Sequence, residues 1–231
     1  MPTNIDDIIR SRRSTRAFTK QEVDLTIVRE ILQTASYAPS GTNTQPWKVY
    51  VVTGEKRDEI CNAVSEAVRS VQGGNLEKKS SYTEVFPYYP TEWISPYIDR
   101  RRQNGWELYG LLGIQKGDKE KMQAQHLRNY QFFDAPVGMF FTVNKIMGIG
   151  ARMDIAMLMQ NIMLSAQGRG LATCAQAAWN AYHSIVLPLL GASDDELLLS
   201  AMALGYADKD AIVNTLKPPR APVEEFSVWL S

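Results

Sequence analysis

Arg12-Arg13-Ser14-Thr15-Arg16-Ala17-Phe18 and Ala38-Pro39-Ser40-Gly41-Thr42-Asn43-Thr44-Gln45-Pro46-Trp47 are the two stretches from which the rest of the chain is read. The first sets three guanidiniums and two hydroxyls into five residues, Arg12 to Arg16, behind a short amphipathic helix. Guanidinium is the side-chain group best shaped for bidentate contact with phosphate, and hydroxyls add short neutral donors. Arg12, Ser14 and Arg16 alternate, so an extended backbone turns them to one side, where they converge on a single anion. The plain alternative is a solvated basic face. The second stretch is a polar turn that runs into a strand. Its hydroxyl and amide groups at Ser40, Asn43 and Gln45, beside Gly and Pro, suit a ring that needs donors at its edge. Such groups also commonly satisfy their own backbone in a turn. Together the two stretches point to a phosphorylated, ring-bearing cofactor.

Outward from them, the elements follow from local pattern. Asn4 to Arg10 has a capping residue, an acidic first turn and apolar positions at helical spacing. Leu25, Val28, Ile31, Leu32 and Ala35 mark a second helix, with Asp24 as N-cap and Pro39 closing the segment. Lys48 to Gly54 reads as a strand ending in a turn, followed by a helix from about Glu55 to Val71. Val137 to Val143 is a buried strand. Arg152 to Gln167 is a helix apolar nearly all round and therefore central, stopped by Gly168-Arg169-Gly170. Tyr182 to Leu190 forms a short helix, Leu198 to Gly205 a short strand or helix, and Lys217 to Pro222 an extended tail.

The 231 residues fit one large domain with a substantial core. The formal net charge is zero, against the basic excess that nucleic-acid binding needs. Cys61 and Cys174 are far apart and form neither a disulfide framework nor a zinc motif. The first ten residues carry two acids and no apolar stretch, unlike a secretory leader. No apolar run spans a bilayer, so neither membrane nor nucleic acid is an expected partner. The expected compartment is the cytoplasm.

Residues 72–130 differ from the rest, with Tyr82, Phe86, Tyr88, Tyr89, Trp93, Tyr97, Trp106 and Tyr109 scattered among Pro, Gly and charged residues. Aromatics in an irregular segment suit the wall of a pocket, that is, a lid; the alternative is a helical excursion packed on the body or on a second subunit. Arg100-Arg101-Arg102 is a solvated face or, within a lid, an attractor for the phosphates of a dinucleotide. Gly168 to Asn180 is rich in small residues that permit close backbone approach to a flat ligand. No G-x-G-x-x-G, Walker A or G-x-S-x-G motif occurs. His126 and His183 lack a second ligand at metal spacing, and Cys174 has no His nearby in sequence to activate it.

The two opening stretches resemble the nitroreductase family, whose pattern runs R-R-S-x-R-x-F and then A-P-S-x-x-N-x-Q-P-W, and the similarity extends over nearly the whole chain. The resemblance implies an α+β fold, a mixed sheet flanked by helices, in an intertwined obligate homodimer with two FMN sites at its interface. Residues 1–231 would be one FMN-binding domain, with 72–130 as its lid or substrate excursion. Arg12, Arg13, Ser14 and Arg16 match the family's phosphate- and ribityl-binding segment, and Arg220 its C-terminal phosphate-binding basic residue. Ser40 and Asn43 match positions that reach the flavin from the partner subunit. Ala175, Gln176 and Ala177 fall where backbone lies against the isoalloxazine, with the Ala177 N–H nearest N5. Gly205-Tyr206-Ala207-Asp208 resembles the family's G-Y-P-D turn.

The implied activity is ping-pong hydride transfer from NADH or NADPH, through FMN, to nitroaromatic or quinone acceptors, with no obligatory side-chain acid or base. Two departures bear on it. Ala175 stands where Pro is often found, and Ala177 has no hydroxyl where relatives that reductively dehalogenate tyrosines carry Thr. The missing hydroxyl favours two-electron chemistry. A flavin-dependent reductive dehalogenase of halophenols or halotyrosines is one alternative, and a flavin-binding or sensing protein without significant turnover is another.

Overall fold

The computed structural model describes residues 4–74 and 80–230; residues 75–79 of the expected lid, and the ends of the chain at 1–3 and 231, lie outside the described residues. Helix α1 (Ile5–Ser11) starts where Asn4 Oδ1 accepts from Asp6 N–H at 3.0 Å, and α2 (Leu25–Ala35) where Asp24 Oδ1 accepts from Thr26 N–H at 2.8 Å. Each cap satisfies a donor that the helix itself leaves unpaired. Strand β1 (Trp47–Val52) leads into α3 (Gly54–Gln72). Helices α4 (Tyr97–Leu111) and α5 (Lys119–Leu127) follow, neither with a buried residue. Then come β2 (Val137–Asn144), α6 (Gly150–Gly168), β3 (Ala172–Gln176), α7 (His183–Leu189) and β4 (Glu196–Gly205).

The strands form one antiparallel sheet in the order β1-β2-β4-β3, with Trp47 opposite Val143, Phe140 opposite Ala201 and Cys174 opposite Ala203. Helices cover both faces. Phe140, Ala201, Ala203 and Cys174 pack under α3 and α7, with Phe132 and Trp179. Met139, Phe141, Met202 and Leu204 pack under α2 and α6. A strand buried on both faces loses the polar alternation that betrays a half-exposed one. Hence β4, legible only as a short apolar element, is a ten-residue central strand.

Two details correct the sequence reading. Helix α6 buries Ala151, Ile155, Leu158, Ile162 and Ala166 against the sheet, flanked by the half-buried Met159 and Met163; its opposite face leaves Met153 67% exposed. The aromatics of residues 72–130 also divide. Tyr130 is buried in the core, and Tyr82 packs on Tyr182 with ring centroids 5.1 Å apart. Tyr88, Tyr89, Tyr97 and Trp106 stay exposed. The backbone enters β2 through three non-glycine residues with positive φ, Phe132, Phe133 and Asp134. That turn lays the Phe132 ring on Gly138, where a Cβ would sit 2.5 Å from the ring.

Candidate functional site

The segment 12–18 is an extra rail along β3, the sheet's edge strand. Thr15 N–H donates to the Thr173 carbonyl at 3.0 Å, and Ser14 bridges Thr173 in parallel. Thr15 is buried while Ser14 and Arg16 are half-buried; the expected convergence of Arg12, Ser14 and Arg16 on one anion is not what the chain shows, since Arg12 lines the cavity described next with its neighbour Arg13, and Ser14 and Arg16 lie outside it. Beyond it, Ala17 accepts from Asp208 N–H, and Phe18 N–H donates to the Phe133 carbonyl. Asn214, 6% exposed, locks the rail: its Oδ1 accepts from Arg16 N–H at 2.8 Å, and its Nδ2 donates to the carbonyls of Ala17 and Asp208. Nothing in the sequence around Asn214 marks it, because two of its three partners are backbone atoms about 200 residues away.

The rail and the Pro-rich tail meet at a cavity of about 590 Å³, whose wall includes Arg10, Arg12, Arg13, Gln167, Lys217 and Arg220. Among the described residues, no carboxylate lines it. Burial, and then the positive charge of Arg220, push the Arg12 guanidinium below its ordinary pKa. The Arg220 guanidinium is aimed by its donation to the Pro218 carbonyl at 2.8 Å. Two cations turned on one cavity without a counter-ion are a ready anion site. Arg16 and Ser14 continue beside β3, outside that wall, where the Arg16 Nη1 donates to the Ser14 carbonyl at 3.3 Å.

In β3, Cys174 and Gln176 are buried and Ala175 is exposed. The Gln176 side chain turns inward and donates to the Asn129 carbonyl at 2.6 Å, so only its backbone can serve a ligand on the outer side. Ala177 opens a 3-10 helix, whose first N–H groups have no acceptor inside the helix. Burial pushes the Cys174 thiol up to about 11, against the opposing charges of Arg16 and Arg12, so it is a packed, unreactive thiol at neutral pH. His126 and His183 are also shifted down by burial, and no cluster of three metal-ligating side chains occurs among the described residues.

Ser40 and Asn43 sit elsewhere. Ser40 Oγ accepts from Gln45 N–H at 2.9 Å, and the turn bonds through Gly41 N–H to Asp154 near the start of α6. Gln167, in the wall of the arginine cavity, is near the other end of that helix. The helical rise between the two residues places the turn and the cavity about 20 Å apart along α6. Within one chain they do not share a small ligand. Of the Arg100–Arg102 run, Arg100 is ion-paired with Glu225 of the tail, and Arg101 lies 4.6 Å from the Trp93 ring centroid.

An antiparallel sheet sandwiched by helices, with an arginine cavity at its edge strand, defines an α+β protein built to bind an anionic ligand. Within that class, the chain belongs to the nitroreductase family, whose model matches residues 9–206. It is 37% identical to a nitrobenzene nitroreductase of Ectopseudomonas oleovorans over 100% of this chain and 99% of that protein. It superposes on the FMN- and NADPH-dependent nitroreductase NfnB of Sphigopyxis sp. strain HMH with a TM-score of 0.91 at 37% identity, covering 99% of both chains. Human iodotyrosine deiodinase 1 is more distant, 24% identical over 96% of this chain and 67% of its own length.

Proposed function

We propose that the chain is an FMN-dependent NAD(P)H oxidoreductase of the nitroreductase type, acting on nitroaromatic or quinone acceptors. The observation that carries this reading is the cavity that Arg12 and Arg220 both line, with no carboxylate in its wall among the described residues. The residues present fit FMN: a cluster of cations for its phosphate, an exposed small residue at Ala175, and an N–H at Ala177 where a 3-10 helix begins. When bound, FMN supplies hydride acceptance from the nicotinamide and passes the electrons to the acceptor in a ping-pong sequence.

The chain's own residues bind and orient. Arg12 and Arg220, in the cavity wall, would hold the phosphate, with Arg13 beside them; Arg16, just outside that wall, would join them by swinging off the Ser14 carbonyl, and Ser14 would add a donor to phosphate or ring edge. The backbone of Ala175, Gln176 and Ala177 would lie along the ring, with the Ala177 N–H as a donor to its reactive edge. Ala177 offers no side-chain hydroxyl, which supports hydride transfer over the one-electron chemistry of dehalogenation, in keeping with the distance to the deiodinase. Solvent protonates the products.

Ser40 and Asn43 complete the site from a second copy of the chain, which their separation from the arginine cavity supports. A homodimer also covers apolar surface that one chain leaves open: Met153 on α6, and Phe226, Val228, Trp229 and Leu230, each more than 70% exposed in the tail. Residues 72–130 act as a lid within the one domain, with Tyr82 and Tyr130 as its feet on the body and the exposed aromatics stacking on planar acceptors. The test is turnover: under anaerobic conditions, protein reconstituted with FMN should oxidise NADPH or NADH beyond the one equivalent that reduces its flavin only when nitrobenzene or a quinone is added. Donor oxidation that ignores the acceptor would sink the assignment.

A further inference from the structure

The 3-10 helix Ala177–Tyr182 begins at the strand end against which the flavin is placed, and its buried side grips a distant part of the chain. Asn180, 0% exposed, accepts from the Val85 N–H at 2.7 Å through Oδ1. Its Nδ2 has no hydrogen-bond partner among the described residues, so this one bond accounts for the side chain. Tyr182 of the same helix carries the Tyr82 ring. Residues 82–85 are thus fastened at both ends to one short helix. Past Val85 the chain turns: the Phe86 ring centroid lies 4.1 Å from the Arg152 guanidinium, and Tyr88 N–H donates to Glu84 Oε2 at 3.1 Å. Tyr88 and Tyr89 are exposed. At about 2 Å of rise per residue, Asn180 sits about 6 Å along the helix from Ala177. The first aromatics of the lid therefore start about a ring's breadth from the Ala177 N–H.

We propose that Asn180 is a positioning residue for the reaction: by holding Val85 it fixes the aromatic turn 86–89 beside the flavin, and so sets how tightly a planar ring is held there. A partly buried N–H deprived of its acceptor is costly and draws the segment toward another partner or water. The turn would then leave its place beside Ala177. This rests on the reductase reading above and adds to it the residue that sets the spacing between flavin and lid. Fully buried, Asn180 touches neither FMN nor acceptor, and it lines no part of the arginine cavity. Its loss acts on ring binding and spares FMN binding.

The test titrates oxidised, FMN-loaded protein with nitrobenzene, without donor, reads the flavin absorption band, and measures amide exchange over residues 86–89 alongside. Asn180→Ala should weaken nitrobenzene about tenfold, the scale of one buried hydrogen bond, and speed exchange over residues 86–89 by a similar factor. FMN affinity should stay within about twofold of native, because the phosphate cavity shares no partner with Asn180. Val85→Pro removes the donor and leaves Asn180 in place. It should have the same effects, the double variant should add nothing, and it carries the test if Asn180→Ala misfolds. Nitrobenzene binding unchanged in the variants, FMN affinity falling in step with it, unchanged exchange over residues 86–89, or a native flavin band that nitrobenzene leaves unperturbed would each overturn the proposal. With no donor present, the titration is independent of reduction. The expected results in a protein whose flavin neither NADPH nor NADH reduces would contradict the reductase reading alone.

Discussion

Glu196, the first residue of β4, is 7% exposed and lies at the junction of three strands. Its carboxylate accepts from Lys48 Nζ at 2.7 Å, Tyr50 OH at 2.8 Å, Thr142 Oγ1 at 2.6 Å and Ser193 N–H at 3.2 Å. Burial alone would raise its pKa; the hydrogen bonds from Lys48, Thr142, Tyr50 and Ser193 together outweigh burial and hold it down to about 2, from an ordinary 4.5. A carboxyl depressed in the folded state stabilises the fold above its unfolded pKa and loses that contribution as pH falls toward the folded value. The drop corresponds to about 3 kcal/mol at neutral pH. Glu196→Gln preserves shape and removes the charge. Urea unfolding at pH 7, 5 and 3, with saturating FMN in both proteins, should show a gap of about 3 kcal/mol at pH 7 and 5. At pH 3 the gap should be visibly smaller, because the native Glu196 approaches its folded pKa. A gap of the same size at pH 7 and pH 3 would refute the argument, since the network would then be acting without its charge.

Arg16→Ala combined with Arg220→Ala should yield nearly colourless protein, weakened for FMN by at least about 100-fold if each charge-assisted contact contributes about 1.5 kcal/mol or more; full flavin content after purification would show the phosphate lies elsewhere. Asn214→Ala removes three buried hydrogen bonds and should cost about 3 kcal/mol in urea unfolding, with FMN affinity falling as the Arg16 backbone loosens. An unchanged midpoint would mean the rail is held without it. Gly138→Ala drives a Cβ into the Phe132 ring, and about 1–3 kcal/mol of overpacking cost is expected, read as a lowered melting temperature; a melting temperature equal to the native one would show that the ring moves freely.

Much of the fold was legible because its signals are local. Asn4 and Asp24 announce their helices through capping chemistry, and both caps form. β1 and β2 stand out as β-branched and aromatic runs. The face of α6 was not legible. Met and Leu around its whole circumference do not say which side meets the sheet, and the Met153 side stays exposed. The arginine rail could be read from its alternation, yet its meeting with Arg220 depends on a tail that returns across the whole length of the chain. Asn214 was invisible for the same reason. Ser40 and Asn43 read as one site with the arginines in sequence, while the fold holds them at the far end of α6.

The most direct test of the central claim is the visible spectrum of the purified, FMN-loaded protein, followed anaerobically as NADPH or NADH is added. Flavin bands that bleach with one equivalent of either nucleotide are the predicted result. Protein that takes up no FMN, or holds flavin that neither nucleotide reduces, would contradict it.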